Sequence, residues 1–231
     1  MTTGGAPPPE SDDVAAFLAS AAQRVSGLVI EGEPGIGKTT LWSAAIEQAT
    51  RRGFRVVSAR AASAEVVLTF AALADLFGDV GHDILADLPQ VQRIAIDGLL
   101  AQAGDSPATN ERVLGAAFLS VIERLEAATP VLVAVDDVQW LDASSQAALE
   151  FAVRRLKGRV GVLFTTRSNA SGPAAASWLQ LRRPDGVDRI KVSPLNLGGL
   201  HALFAARLGR SLPRPATVSY THLTLPTILL V

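Results

Sequence analysis

From the amino terminus onward, the first apolar positions in helical spacing are Val14, Phe17, Leu18 and Ala21, one face of a helix that Ser11 or Asp12 is placed to cap. The short run Gly27-Leu28-Val29-Ile30-Glu31 stops at a glycine loop and reads as a buried strand. Helical spacing returns from Thr39 to about Arg52, with Leu41, Ala45 and Ile46 apolar, and Gly53 ends it. Phe54 to Ala59 predicts a second strand. From about Leu68 to Leu125 the pattern is helical throughout, with Phe70, Leu73, Leu76 and Phe77 as one stripe and breaks near Gly81, at Pro89 and across Gly104 to Thr109. Pro130 opens the longest apolar strand, Val131 to Val135, which closes on Asp136-Asp137. A helix from about Ser144 to Lys157, a strand from Val160 to Thr166, a weaker strand from Arg189 to Val192 and a helix from Leu197 to Leu208 complete the pattern. Near-continuous apolar strands alternating with helices predict an α/β fold with a parallel sheet covered on both faces. No internal repeat interrupts it.

Composition narrows the chemistry. The chain has 231 residues, enough for one sizeable α/β domain, and is 48% hydrophobic and 19% charged. Its formal net charge of −1 supplies no general attraction to nucleic acid or anionic lipid. The absence of cysteine excludes disulfides, thiolate nucleophiles and cysteine-based zinc sites. His82, His201 and His222 have no metal-ligand spacing. No window approaches the length of a membrane span, and the start, MTTGGAPPPESDD, lacks the basic and then apolar character of a signal peptide. The expected location is the cytoplasm, with no membrane partner.

One segment matches G-x-x-x-x-G-K-[ST] at every fixed position: Gly32-Glu33-Pro34-Gly35-Ile36-Gly37-Lys38-Thr39, followed by Thr40. Glycines let the backbone turn with positive φ and bring N–H groups around phosphate oxygens with no Cβ in the way. The following helix adds its unpaired N–H groups and the positive end of its dipole. Lys38 is the point charge for the β- and γ-phosphates, and Thr39 offers its hydroxyl to magnesium. These features predict ATP and Mg2+ as ligands, in a P-loop NTPase fold: a three-layer α/β/α sandwich with a mostly parallel five-stranded sheet.

Two further groups belong at the same end of the sheet, because ligands of open α/β sheets collect at the carboxyl ends of the strands. Asp136 is placed as the Walker B carboxylate that holds the metal, and Asp137 as the group that orients an attacking water. Thr165, Thr166 and Arg167, ending the next strand, are placed to sense a γ-phosphate. Lys38, Asp137 and Arg167 are thus the catalytic candidates, Thr39 and Asp136 the metal ligands, and Gly32 to Thr40 the nucleotide cradle.

Taken together, VIEGEPGIGKTT, VLVAVDDVQWLDASS and VLFTTRS resemble the ATPase domain of STAND-type, AAA-related regulators, and in particular the large LuxR-type, MalT-like transcriptional regulators. LTFAALADLF and Pro194-Leu195-Asn196-Leu197 extend the resemblance, which spans about Gly27 to Leu212. It implies a sheet in which the strand carrying Thr-Thr-Arg lies between the P-loop strand and the Walker B strand. It implies ATP acting as a switch, reset by slow hydrolysis, with ATP-dependent self-association as a further expectation. DNA contact would belong to carboxyl-terminal domains of a parent protein, beyond a helical lid. The Gly-Arg-Glu motif that such regulators carry before the first helix is replaced here by PPPESDDVAAF, which leaves the recognition of adenine open. Steady turnover in an AAA-type ATPase of the replication or remodelling kind, and ATP binding without cleavage, are the alternatives. No LSGGQ-like signature of an ABC transporter and no arginine-rich kinase lid is evident.

The expected organisation is a leader over residues 1–12, an ATPase domain with a truncated lid over 13–212, and a tail over 213–231. The last fifteen residues, TVSYTHLTLPTILLV, contain no alanine, glycine or charged acid or base. They resemble translated sequencing-adapter segments, and the native chain is expected to continue beyond about Pro215.

Overall fold

A period of two on the central strands decides the layering. In the computed structural model, which describes residues 9–101, 110–168, 181 and 186–192, five strands form one sheet: β1 Ser26–Gly32, β2 Arg55–Arg60, β3 Val131–Asp136, β4 Val160–Arg167 and β5 Val187–Lys191. Val131, Val133 and Val135 of β3 enter one apolar cluster while Leu132 and Ala134 enter another on the opposite face. All six residues of β3 are buried, as expected of a strand covered on both sides.

The helices sort onto those two faces. α1 Pro9–Ala21 and α2 Lys38–Arg51 cover one, through Val14, Phe17, Leu18, Trp42 and Ala45. α3 Ala71–Gly78, α5 Gln90–Leu100, α6 Glu111–Ala128 and α7 Ala143–Val153 cover the other, and α4 His82–Ala86 is a single short turn between α3 and α5. Leu73, Leu76 and Phe77 of the expected stripe are fully buried, and Phe77 meets Phe118 of α6 edge to face at 5.8 Å. The result is the expected three-layer sandwich.

Strand order is β2-β3-β4-β1-β5, and every pairing is parallel. The strand ending in Thr-Thr-Arg therefore lies between the P-loop strand and the Walker B strand. The chain leaves β1 for β2 at one edge and leaves β4 for β5 at the other. Opposite departures of this kind open a crevice at the carboxyl ends of β1 and β4, where ligands of such sheets bind.

Several boundaries differ from the sequence reading. α1 starts at Pro9, so Ser11 and Asp12 lie inside the helix and not at its cap; proline fits a first turn because the N–H it lacks has no partner there. The stretch from Leu68 is not helical at first: Phe70 adopts a left-handed backbone, φ 64°, and α3 begins after it. α7 ends at Val153, four residues early, and passes into tight turns through Arg155 N–H to Ala152 and Leu156 N–H to Val153. β5 starts two residues earlier than expected, at Val187, where pairing with Gly27 begins. The helix expected over Leu197 to Leu208, Pro194 to Leu197, His201, His222, most of the leader and the tail fall outside the described residues. Among the described residues, no helix is long and apolar enough to cross a membrane.

Candidate functional site

β1 ends at Gly32 and α2 begins at Lys38, so the glycine loop joins a buried strand to a helix amino terminus. Gly35 (φ 75°) and Gly37 (φ 106°) take the left-handed backbone that residues with a Cβ disfavour. Gly32 serves close approach: a Cβ there would stand 2.7 Å from Ile36 Cγ2. Gly37 is the N-cap of α2 and provides no side-chain acceptor, so the first-turn N–H groups keep their capacity for a ligand. Glu33, Pro34, Gly35, Gly37, Thr39 and Thr40 are exposed, and Ile36 is half-buried.

Lys38 is the exception in this loop. It is only 6% exposed, and its Nζ donates to the Glu33 carbonyl at 3.0 Å. That bond uses one of three ammonium donors. Burial lowers the Lys38 pKa below its ordinary value; Asp137 pulls it back up, Arg167 lowers it further, and Asp136 raises it. The lysine thus lies within the electrostatic reach of all three candidates that the sheet order brings to its end.

The two aspartates are held by β4, Asp136 through its carboxylate and Asp137 through its backbone. Thr165, fully buried, donates its hydroxyl to Asp136 Oδ1 at 2.5 Å, and its own Oγ1 accepts the Asp137 N–H at 2.7 Å. Asp136 is 4% exposed, while Asp137 is half-buried and has a left-handed backbone, φ 54°. Thr166, also buried, has a hydroxyl with no partner. A buried hydroxyl without a partner at the crevice is an available donor and acceptor.

The short 3₁₀ turn Val138–Trp140 joins Asp137 to Arg167. Gln139 Nε2 donates to Asp137 Oδ1 at 2.7 Å, and Gln139 Oε1 accepts the Arg167 N–H at 3.3 Å. The Arg167 guanidinium lies over the Trp140 ring, 5.1 Å from its centroid. Asp142, 4% exposed, ends this segment: its Oδ1 accepts from Ser145 N–H at 2.8 Å, capping α7, and from Phe70 N–H at 2.9 Å. Ser145 Oγ likewise accepts from Leu73 N–H at 3.1 Å. Sequence reasoning placed Lys38, Asp136, Asp137 and Arg167 at one end of the sheet, and they are there. It assigned nothing to Gln139, Trp140 or Asp142; the only signal was that all three belong to the string Asp136 to Asp142.

These residues can together receive a polyphosphate and a hard cation. Glycine N–H groups and the Lys38 ammonium match phosphate oxygens, while the exposed Thr39 hydroxyl and the Asp136 carboxylate are the donor types that magnesium takes.

The family model described as an AAA ATPase domain matches residues 9–164. No curated protein matches the chain in sequence. Among solved structures, a DNA replication initiation factor is similar over 91% of this chain and 54% of its own, at 17% identity and a TM-score of 0.53. AMPPCP-bound DnaA from Aquifex aeolicus is similar over 95% of this chain and 57% of its own, at 15% identity and a TM-score of 0.52. A signal transduction ATPase with numerous domains, a STAND protein with a tetratricopeptide repeat sensor from Pyrococcus horikoshii, is similar over 96% of this chain but 28% of its own, at 14% identity and a TM-score of 0.51. The chain thus spans about half the length of the first two and less of the third. Likeness at these identities concerns the fold.

Proposed function

This chain belongs to the AAA ATPase domain family, and from that premise we propose that it is the nucleotide-operated switch of a regulator, binding ATP with magnesium and hydrolysing it slowly. The observation that carries the reading is the buried Lys38 ammonium, held on the Glu33 carbonyl within electrostatic reach of Asp136, Asp137 and Arg167. A buried cation is costly unless something negative completes its environment. Triphosphate oxygens meet that need.

In this reading the loop from Gly32 to Thr40 holds the phosphates, with Lys38 on the β- and γ-positions. Thr39 and Asp136 would hold magnesium, which would supply positive charge to neutralise the phosphates. Asp137 orients the attacking water, and Arg167 senses the terminal phosphate. Thr165 ties the Asp136 carboxylate and the Asp137 backbone N–H to β4, so that a shift of β4 moves both residues together.

A switch needs differential affinity. Moving a two-state equilibrium from 1:99 to 99:1 takes about 5.5 kcal/mol of state-selective binding, and contacts to the γ-phosphate are the source. The LuxR-type affiliation rests on the motif resemblance, which also assigns DNA contact to domains outside this chain. Self-association on ATP binding belongs to the same proposal.

The test is calorimetry of the full chain with Mg-ATP and Mg-ADP, alongside phosphate release. Binding with a clear preference for ATP and slow turnover is expected. A folded sample that binds neither nucleotide overturns the reading, and rapid steady turnover replaces the switch with an ordinary ATPase.

A further inference from the structure

Gln139 has one side-chain amide and uses both ends of it within the site. Its donor meets Asp137 Oδ1 at 2.7 Å, and its acceptor takes the Arg167 N–H at 3.3 Å. The backbone supports this arrangement. Asp137, in the left-handed region at φ 54°, begins the 3₁₀ turn that carries Gln139, and left-handed backbone is uncommon for a residue with a Cβ. The next residue of the turn, Trp140, lies against the Arg167 guanidinium. One three-residue turn therefore touches the water-orienting candidate through its carboxylate, and the phosphate-sensing candidate through both backbone and side chain.

We infer that Gln139 is a positioning residue for the nucleotide reaction, tying the Asp137 carboxylate to the end of β4 at Arg167. The inference rests on the reading above, in which these two residues face the nucleotide. Without the amide, a displacement of Arg167 by a terminal phosphate has no direct side-chain route to Asp137. With it, the two move as one unit, and the carboxylate is aligned only when the arginine is. A hydrogen bond to one carboxylate oxygen also leaves the other oxygen of Asp137 to receive a proton or hold a water. Leucine at position 139 keeps the size and removes both bonds; glutamate keeps the acceptor for the Arg167 N–H and sets a negative charge against Asp137.

The experiment compares the full-length wild type with Gln139→Leu and Gln139→Glu. It reads amide exchange at Arg167 without nucleotide, Mg-ATP and Mg-ADP affinity by calorimetry, and kcat with KM for phosphate release. In Gln139→Leu the Arg167 amide exchanges faster and ADP affinity stays within about threefold of wild type. In the same variant, the preference for ATP over ADP falls about tenfold or more, the scale of one hydrogen bond to a charged group. Its kcat falls, and KM for ATP rises in step with the weaker ATP binding, because the chemistry is slow. In Gln139→Glu the slow exchange at Arg167 returns while kcat stays low. A Gln139→Leu protein with wild-type ATP preference overturns the inference and leaves nucleotide binding standing. Equal loss of ATP and ADP affinity also overturns it, since that marks a structural role. A wild type that binds without turnover is judged on the preference alone. A folded wild type that binds neither nucleotide removes the functional reading and this inference with it.

Discussion

The hydroxyl of Thr165 donates to Asp136 Oδ1 at 2.5 Å from the centre of a sheet in which both residues are buried. The Thr165 hydroxyl oxygen in turn accepts the N–H of Asp137, so one β4 side chain sets the positions of two consecutive acids on β3 and its exit. Thr165→Val keeps the shape and leaves a buried carboxylate and an amide short of partners. The expected cost is about 1–3 kcal/mol in urea unfolding without nucleotide. Thr166→Val is the contrast, because the Thr166 hydroxyl has no partner to lose. Its expected cost is under about 1 kcal/mol, and equal losses in the two variants would remove the special role of Thr165.

Lys38→Met separates binding from folding. Loss of the ammonium is expected to weaken Mg-ATP binding by about 1.5–3 kcal/mol, read by calorimetry. The nucleotide-free variant should not melt below wild type, because burial already disfavours the charged lysine. The sign follows from linkage. With its pKa depressed in the fold below 10.5, Lys38 sheds its proton in the folded state before the unfolded chain does. Wild type therefore gains stability relative to Lys38→Met as pH rises through that window. Unchanged ATP affinity, or a gain that runs the other way, refutes the assignment.

The glycine loop and the buried strands were legible because their signals are local: four fixed types within the eight positions of G-x-x-x-x-G-K-T, and an apolar run flanked by Pro130 and two aspartates. Strand order followed from the resemblance of three motifs. What stayed hidden depends on contacts between distant residues. Phe70 reads as the start of an apolar helical stripe, yet its N–H is drawn to Asp142, 72 residues away, and the helix begins only after it. Gln139 looks like any polar residue near a turn until β4 is placed beside it. Periodicity also ran past the end of α7, because apolar Leu156 is buried just as a further helical turn would bury it.

Asp142 is expected to matter for stability and not for nucleotide. Its carboxylate caps α7 and holds the Phe70 N–H, two donors of which one is on a left-handed residue. Asp142→Ala should cost about 2–4 kcal/mol in urea unfolding, the sum of a lost cap and an unsatisfied buried amide. ADP affinity measured under folding conditions should be unchanged. A variant of wild-type stability would show that α3 and α7 are held together without this carboxylate.

Asp75 on α3 gives a pH-dependent case with the opposite sign to an ion pair. Its pKa is raised by partial burial and by the nearby Glu65 and Asp79 carboxylates. The folded state thus disfavours the ionised form, and this penalty is present above the folded pKa and relieved as pH falls toward 3.8. Asp75→Asn is expected to raise the urea midpoint at neutral pH, with the gain shrinking as acid is added. A gain that persists at low pH points to packing instead of charge.

Asp137→Asn tests the chemistry most directly, because it changes charge while keeping an oxygen for the Gln139 amide to meet. The backbone bond from Asp137 N–H to Thr165 does not involve the side chain, so the Asp136 arrangement stays in place. Binding of Mg-ATP should therefore remain within about threefold of wild type, less than the loss of one charged hydrogen bond. Phosphate release should fall by about a hundredfold or more, the usual contribution of a general base. If turnover survives, the water is oriented elsewhere and Asp137 serves only to shape the turn at Gln139. If binding is lost as well, Asp137 takes part in holding the nucleotide, and its charge is needed beside Lys38 before any water attacks.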